Sequence, residues 1–135
     1  DLYSGIGSFG LEWISRGANK IVFVEQDKNA LNILNKNLLK LSIKNKATIV
    51  SDKINNFLRK KISLGFEIIF LDPPFKDSKF LEELDNINKK KIFKKNHVVI
   101  IHRDKKSNDN FEKIINPVLI KNYGRSKIIF GKFLA

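Results

Sequence analysis

Four consecutive residues, Asp72-Pro73-Pro74-Phe75, close the apolar run Ile68-Ile69-Phe70-Leu71. Adjacent prolines remove two backbone donors and fix two φ angles, and Pro73 also biases Asp72 toward extended backbone. An acid and a ring are thereby held with little freedom at the end of a strand. A second chemistry-bearing stretch opens the chain, where Gly5, Gly7 and Gly10 have G-x-G-x-x-G spacing directly ahead of a helix. Glycines let the backbone turn tightly and approach a ligand, while the helix N-terminus offers free N–H groups. An acid should follow roughly 20 residues on, at the end of the next strand, to hold ribose hydroxyls. Glu25 stands 20 residues after Gly5, at the end of "KIVFV". Together these features point to a nucleotide-like cofactor.

Nicotinamide and S-adenosyl-L-methionine enzymes both use such a turn, so the glycines leave the cofactor open. The "LDPPF" stretch narrows it. Asp72 to Phe75 resembles the D/N/S-P-P-Y/F/W signature of methyltransferases acting on exocyclic amines of nucleobases, and nothing in hydride transfer calls for it. Such an amine is a poor nucleophile, because its lone pair is delocalised into the ring. An acid side chain and a backbone carbonyl, those of Asp72 and Pro73, can both accept its hydrogens. That aims the nitrogen at a sulfonium methyl and favours the positive charge developing on it. Phe75 would stack on the base after it leaves its helix or loop. Guanine N2 and adenine N6 present the same geometry to this acid.

Elements must hold these residues in place, and the apolar pattern supplies them. Strands are predicted at 20–25, 46–51, 66–71 and 97–102. A helix over 27–41 places Leu31, Leu34, Leu38 and Leu41 on one stripe. A helix at 53–62 turns Phe57 and Leu58 inward, one at 78–87 is capped by Ser78, and one at 108–116 is stopped by Pro117. Phe9 and Trp13, four residues apart on the first helix, read as core. The tail reads as two strands around a turn at Gly124 and Arg125. Alternating strands and helices predict a Rossmann-like α/β fold, a doubly wound and mostly parallel sheet with a C-terminal antiparallel hairpin. The Asp72 strand should neighbour the glycine strand, so that both face one crevice.

The 135 residues suffice for one domain. The chain has no Met and begins abruptly at "DLYSGIG", so a preceding strand and N-terminal segment are expected to be missing. The absence of Cys excludes disulfides and thiolate metal sites and fits a reducing, cytoplasmic setting. No apolar run is long enough to span a membrane, and no residue cluster has metal-ligand spacing. The net charge of +12 favours a polyanionic partner. Yet 22 of the 26 basic residues are Lys, as a biased genome would also produce. The run "NKKKIFKKN" (88–96) either touches phosphates beside the substrate mouth or is a solvated loop.

The stretch "DLYSGIGSFGLEWISRGANKIVFVEQD", followed by "FLDPPF", resembles the bacterial small-subunit ribosomal RNA (guanine-N2)-methyltransferase D family. The similarity covers essentially the whole chain, including Asn37 in the second helix and the late pair Tyr123-Gly124. It implies a class I S-adenosylmethionine-dependent enzyme acting on ribosomal RNA or an assembling small subunit, as a monomer. Carried over by position, Asp1, Gly5 and Gly7 would line the methionine end of the cofactor. Glu25 would hold the ribose, and Gln26 would lie beside the adenine. Asp72 and the Pro73 backbone would bind the guanine amine, Pro74 would stiffen the turn, and Phe75 would stack. After the third strand the family often has D-A-x-x-F-L. Here Lys53 stands in strict register and Asp52 one residue earlier, and Asp52 is favoured because a loop absorbs such a shift. Where the fifth strand commonly ends in Glu, this chain has His102, read as a structural residue rather than a base. The family's N-terminal Arg-Pro-Thr segment is missing, so weak cofactor binding or inactivity is expected of this stretch alone. An adenine-N6 methyltransferase and a non-catalytic RNA-binding assembly factor are the alternatives.

Overall fold

The computed structural model describes residues 1–63 and 65–134 in two compact units, Asp1–Arg59 and Lys60–Ala135.

In the first unit, helix α1 (Ser8–Ser15) follows the glycine turn and leads to strand β1 (Ile21–Glu25). Helix α2 (Lys28–Lys40), a short 3-10 turn (Lys44–Lys46), strand β2 (Ala47–Ser51) and helix α3 (Ile54–Arg59) complete it. β1 and β2 pair in parallel from Ile21↔Ala47 to Glu25↔Ser51, and Leu2 forms a parallel bridge with Val24. Helix α2 starts where Asp27 accepts a hydrogen bond from the Ala30 N–H (2.9 Å), satisfying one of the orphan donors of its first turn. Its stripe of Leu31, Leu34 and Leu38 is buried, and Leu34 and Leu38 join Ile14 and Phe23 in one cluster. Each such leucine contributes about 1.5–3 kcal/mol of transfer free energy. Leu41, expected on this stripe, lies past the last turn at the C-cap and is exposed. Leu58 is buried as expected, whereas Phe57 is only half-buried. Phe9 and Trp13 meet with tilted rings, centroids 6.1 Å apart, but are likewise half-buried. The face of α1 that packs inward is that of Gly10 and Ile14.

The second unit contains β3 (Phe66–Leu71), α4 (Phe80–Lys90), β4 (Phe93–Asp104), β5 (Ile115–Tyr123) and β6 (Ser126–Phe133). Its sheet has the order β3-β4-β6-β5, with β3 and β4 parallel and the other two pairings antiparallel. The closing hairpin turns at Gly124, whose φ of +55° suits a residue without Cβ. The sheet is thus mixed, with the antiparallel edge the tail predicted. Helix α4 buries Phe80, Leu84 and Ile87, the 3.6-residue stripe of an amphipathic helix.

Three expectations change here. No helix forms over 108–116. Asp109 is tied to Arg103, Phe111 is buried, and a turn at 112–114 leads directly into β5. Pro117 therefore lies inside β5, beside the register shift between Pro117 and Leu119, where a missing ladder donor is tolerated. Ser78 does not cap α4. The N-cap is Lys79, without a side-chain bond, and Asp77 accepts from the Lys79 N–H just ahead of it (2.7 Å). Strand β4 begins at Phe93 rather than 97, because Phe93 pairs with Phe66, stacks on Phe133 (4.7 Å) and meets the His97 ring at a tilt (4.3 Å). His97 is buried, with Nε2 accepting from the Phe133 N–H, so Nδ1 donates to the Lys94 carbonyl. No described helix is long and apolar enough to cross a membrane.

Candidate active site

The second unit holds Asp72 through strand register. Leu71 pairs with Ile101 in the parallel β3–β4 ladder, so the next residue on each strand, Asp72 and His102, emerges side by side. His102 Nδ1 lies 2.8 Å from Asp72 Oδ1. The Phe75 ring meets the His102 ring edge-on, with centroids 5.5 Å apart and planes at 70°. Asp72 and Phe75 face solvent, Phe75 at 42% exposure, while Pro73 is buried beneath them. A carboxylate and a partly exposed aromatic ring are therefore presented together on a stiff turn, closed by the Asp77 N–H donating to Pro74 O (2.9 Å).

Side chains alternate along β4, so Arg103 leaves on the opposite face from His102. Its guanidinium is buried and donates to the carbonyls of Pro74 and Phe75 and to Asp109. His102, read from the sequence as a structural residue rather than a base, touches both Asp72 and Phe75.

The first unit builds its site around Glu25. Its Oε1 accepts from the Gly5 N–H (2.8 Å), and Oε2 accepts from the N–H groups of Gln26 (2.9 Å) and Asp27 (2.8 Å). A carboxylate has about four acceptor positions, so one position on Oε1 stays open to a hydroxyl donor. Gly5 and Gly7 both have positive φ (+55° and +89°). A Cβ on Gly7 would strike Leu34 at 2.3 Å, and one on Gly10 would strike the Phe23 ring at 2.4 Å. A Cβ on Gly5 would meet open space. Packing thus excludes a side chain at Gly7 and Gly10, whereas Gly5 borders open space. Asn37 donates to the Ile6 carbonyl (3.2 Å) and braces this turn from α2.

Asp1 Oδ2 accepts from the Gly10 N–H (3.1 Å), while its Oδ1 is buried and has no partner among the described residues. The Asp52 N–H donates to the Glu25 carbonyl (3.1 Å), placing Asp52 beside Glu25. Asp52 Oδ1 accepts from the Lys53 N–H (2.7 Å) and from Asn56 (2.8 Å), and the Lys53 side chain is exposed.

Comparison with known proteins decides what this arrangement belongs to. Residues 1–132 match the family described as Conserved hypothetical protein 95. The ribosomal RNA small subunit methyltransferase D of Buchnera aphidicola is 32% identical over 134 residues, 99% of this chain and 67% of that protein. The chain belongs to the ribosomal RNA small-subunit methyltransferase D family. It spans between 40% and 67% of the curated relatives it matches. A conserved hypothetical protein of Streptococcus pyogenes has the same fold, with a TM-score of 0.87 at 23% identity over 98% of this chain and 84% of that one. A S-adenosylmethionine-dependent methyltransferase of Aquifex aeolicus shares it at a TM-score of 0.64 and 20% identity, over 99% and 80% of the two chains. The fold is thus that of the class I methyltransferases.

Of the residues that resemblance to the methyltransferase D family singles out, Gly5, Glu25, Gln26 and Asp52 are joined by hydrogen bonds at the ends of β1 and β2. Asp1 lies against the Gly10 end of the same turn. Gln26 contributes its backbone N–H to Glu25, and its side chain is exposed. Asp72, Pro73, Pro74 and Phe75 form the turn after β3. His102 and Arg103 complete that turn, and only the β3–β4 register reveals their partners.

Proposed function

We propose that this chain transfers a methyl group from S-adenosylmethionine to the exocyclic N2 of a guanine in small-subunit ribosomal RNA. The observation that carries the reading is the exposed pair of Asp72 and Phe75 on a proline-stiffened turn, in a chain of the methyltransferase D family. The glycine turn suits the cofactor. Gly5 leaves a space that a side chain would fill, the orphaned Asp1 Oδ1 can accept from the cofactor's ammonium, and Glu25 has room for a ribose hydroxyl. When bound, the cofactor supplies a methyl group activated by a sulfonium.

The chain's own residues orient the amine. His102 occupies one oxygen of Asp72, leaving Oδ2 to accept a hydrogen of the target amine. The Pro73 carbonyl accepts the other. As positive charge develops on the nitrogen, the carboxylate stabilises it, and a hydrogen bond to an ionised acceptor is worth about twice a neutral one. The proton leaves after transfer, so no base is required beforehand. Phe75 stacks on the displaced base, a contact worth about 1–3 kcal/mol.

The test is to incubate the full-length protein with labelled S-adenosylmethionine and ribosomal RNA from cells lacking it, then digest to nucleosides. Label in N2-methylguanosine supports the reading. Label in N6-methyladenosine would move the activity to the other amine. No transfer together with no calorimetric heat from S-adenosylhomocysteine would leave a non-catalytic RNA-binding factor.

A further inference from the structure

The turn carrying Asp72 and Phe75 has a weakness that its own sequence creates. Pro73 and Pro74 have no N–H, so the backbone of the turn supplies itself a single bond, from the Asp77 N–H to Pro74 O. Further donors must come from elsewhere, and Arg103 supplies them. Nη1 donates to Pro74 O (3.1 Å), and Nη2 donates to Phe75 O (3.0 Å) and Asp77 O (3.5 Å). Nε and Nη2 grip Asp109 in a fork, at 2.8 and 3.2 Å, and the guanidinium lies 4.3 Å over the Phe80 ring. Arg103 is only 2% exposed, a depth at which a cation persists only when fully paired. The planar fork matters, because a lysine ammonium would offer a point charge without it.

These bonds draw the carbonyls of Pro74 and Phe75 inward. Pro73 O, by contrast, accepts no hydrogen bond among the described residues. We propose that Arg103, held by Asp109, is a positioning residue for methyl transfer. By engaging the carbonyls on one side of the turn, it fixes the Phe75 ring and leaves the Pro73 carbonyl free beside Asp72. This role rests on reading the turn as the base-capturing element.

The experiment compares Arg103→Lys, Asp109→Asn and Asp109→Glu in the full-length protein, measuring kcat, KM and amide exchange over residues 75–79. Arg103→Lys and Asp109→Asn are expected to lower kcat about tenfold to a hundredfold, with the cofactor KM held within about twofold. Exchange over the turn should quicken by about tenfold, and Asp109→Glu should recover part of the rate. If Arg103→Lys does not fold, Asp109→Asn answers alone, since it keeps the side chain's shape. An unchanged kcat in a folded variant overturns the role, as does a rise in cofactor KM that parallels the loss of kcat. Should the wild-type protein transfer no methyl group, the functional reading fails separately. Exchange then decides the lock: faster exchange in the variants sustains it, and unchanged exchange overturns it.

Discussion

Asp72 has one oxygen bonded to His102 and the other without a partner among the described residues, and the proposed amine contact falls on that second oxygen. Asp72→Ala is expected to abolish turnover while cofactor affinity stays within a few-fold, because Asp72 belongs to the turn after β3 and not to the glycine turn. Parallel measurements of methyl transfer and calorimetric binding check this, and near-normal rates in the variant would refute the amine contact. The glycines separate in the same way. Gly10→Ala forces a Cβ against Phe23 and should lower stability by about 1–3 kcal/mol. Gly5→Ala meets open space, strains a left-handed backbone by about 1–2 kcal/mol, and should act chiefly on cofactor affinity. Denaturant unfolding and calorimetry on both variants distinguish the two effects. Asp72, Phe75, Gly5 and Glu25 were all legible in the sequence, because prolines, glycines and spaced acids act locally. The partners of His102 and Arg103 were not, because the pairing of β3 with β4 sets them across about thirty residues of chain.

At the level of elements, the β3–β4 register positions Asp72 and His102, and the ends of β1 and β2 bring Glu25 and Asp52 together. Most strands were readable from β-branched runs, and α2 from its leucine stripe. The stretch 108–116 misled because Phe111, Ile114 and Ile115 mimic helical spacing. A buried ion pair at Asp109 and the early start of β5 decide that segment instead. Helix α4 ends with Lys91 in the left-handed region (φ 52°), where glycine is the usual occupant. Lys91→Gly should therefore raise stability by about 0.5–1 kcal/mol, relief of backbone strain exceeding the added unfolded-state entropy. A shift of the urea midpoint to higher concentration would show it, and a shift to lower concentration would contradict it.

Across the whole molecule, the net charge of +12 is the sign expected of a partner for a polyanion, which the proposed RNA substrate would be. Binding of small-subunit ribosomal RNA should weaken by at least about tenfold between about 50 and 200 mM salt. A flat titration would assign the lysines to composition alone. Charge and fold class were legible in the sequence, but neither distinguishes one nucleobase amine from another, since both satisfy the same acceptors. The most direct measurement is nucleoside mass spectrometry of small-subunit ribosomal RNA from a strain lacking the gene. The strain should be complemented in turn by the wild-type gene and by Asp72→Ala. N2-methylguanosine should fall in the deletion, return with the wild-type gene and stay low with Asp72→Ala. Unchanged N2-methylguanosine alongside lost N6-methyladenosine would contradict the account.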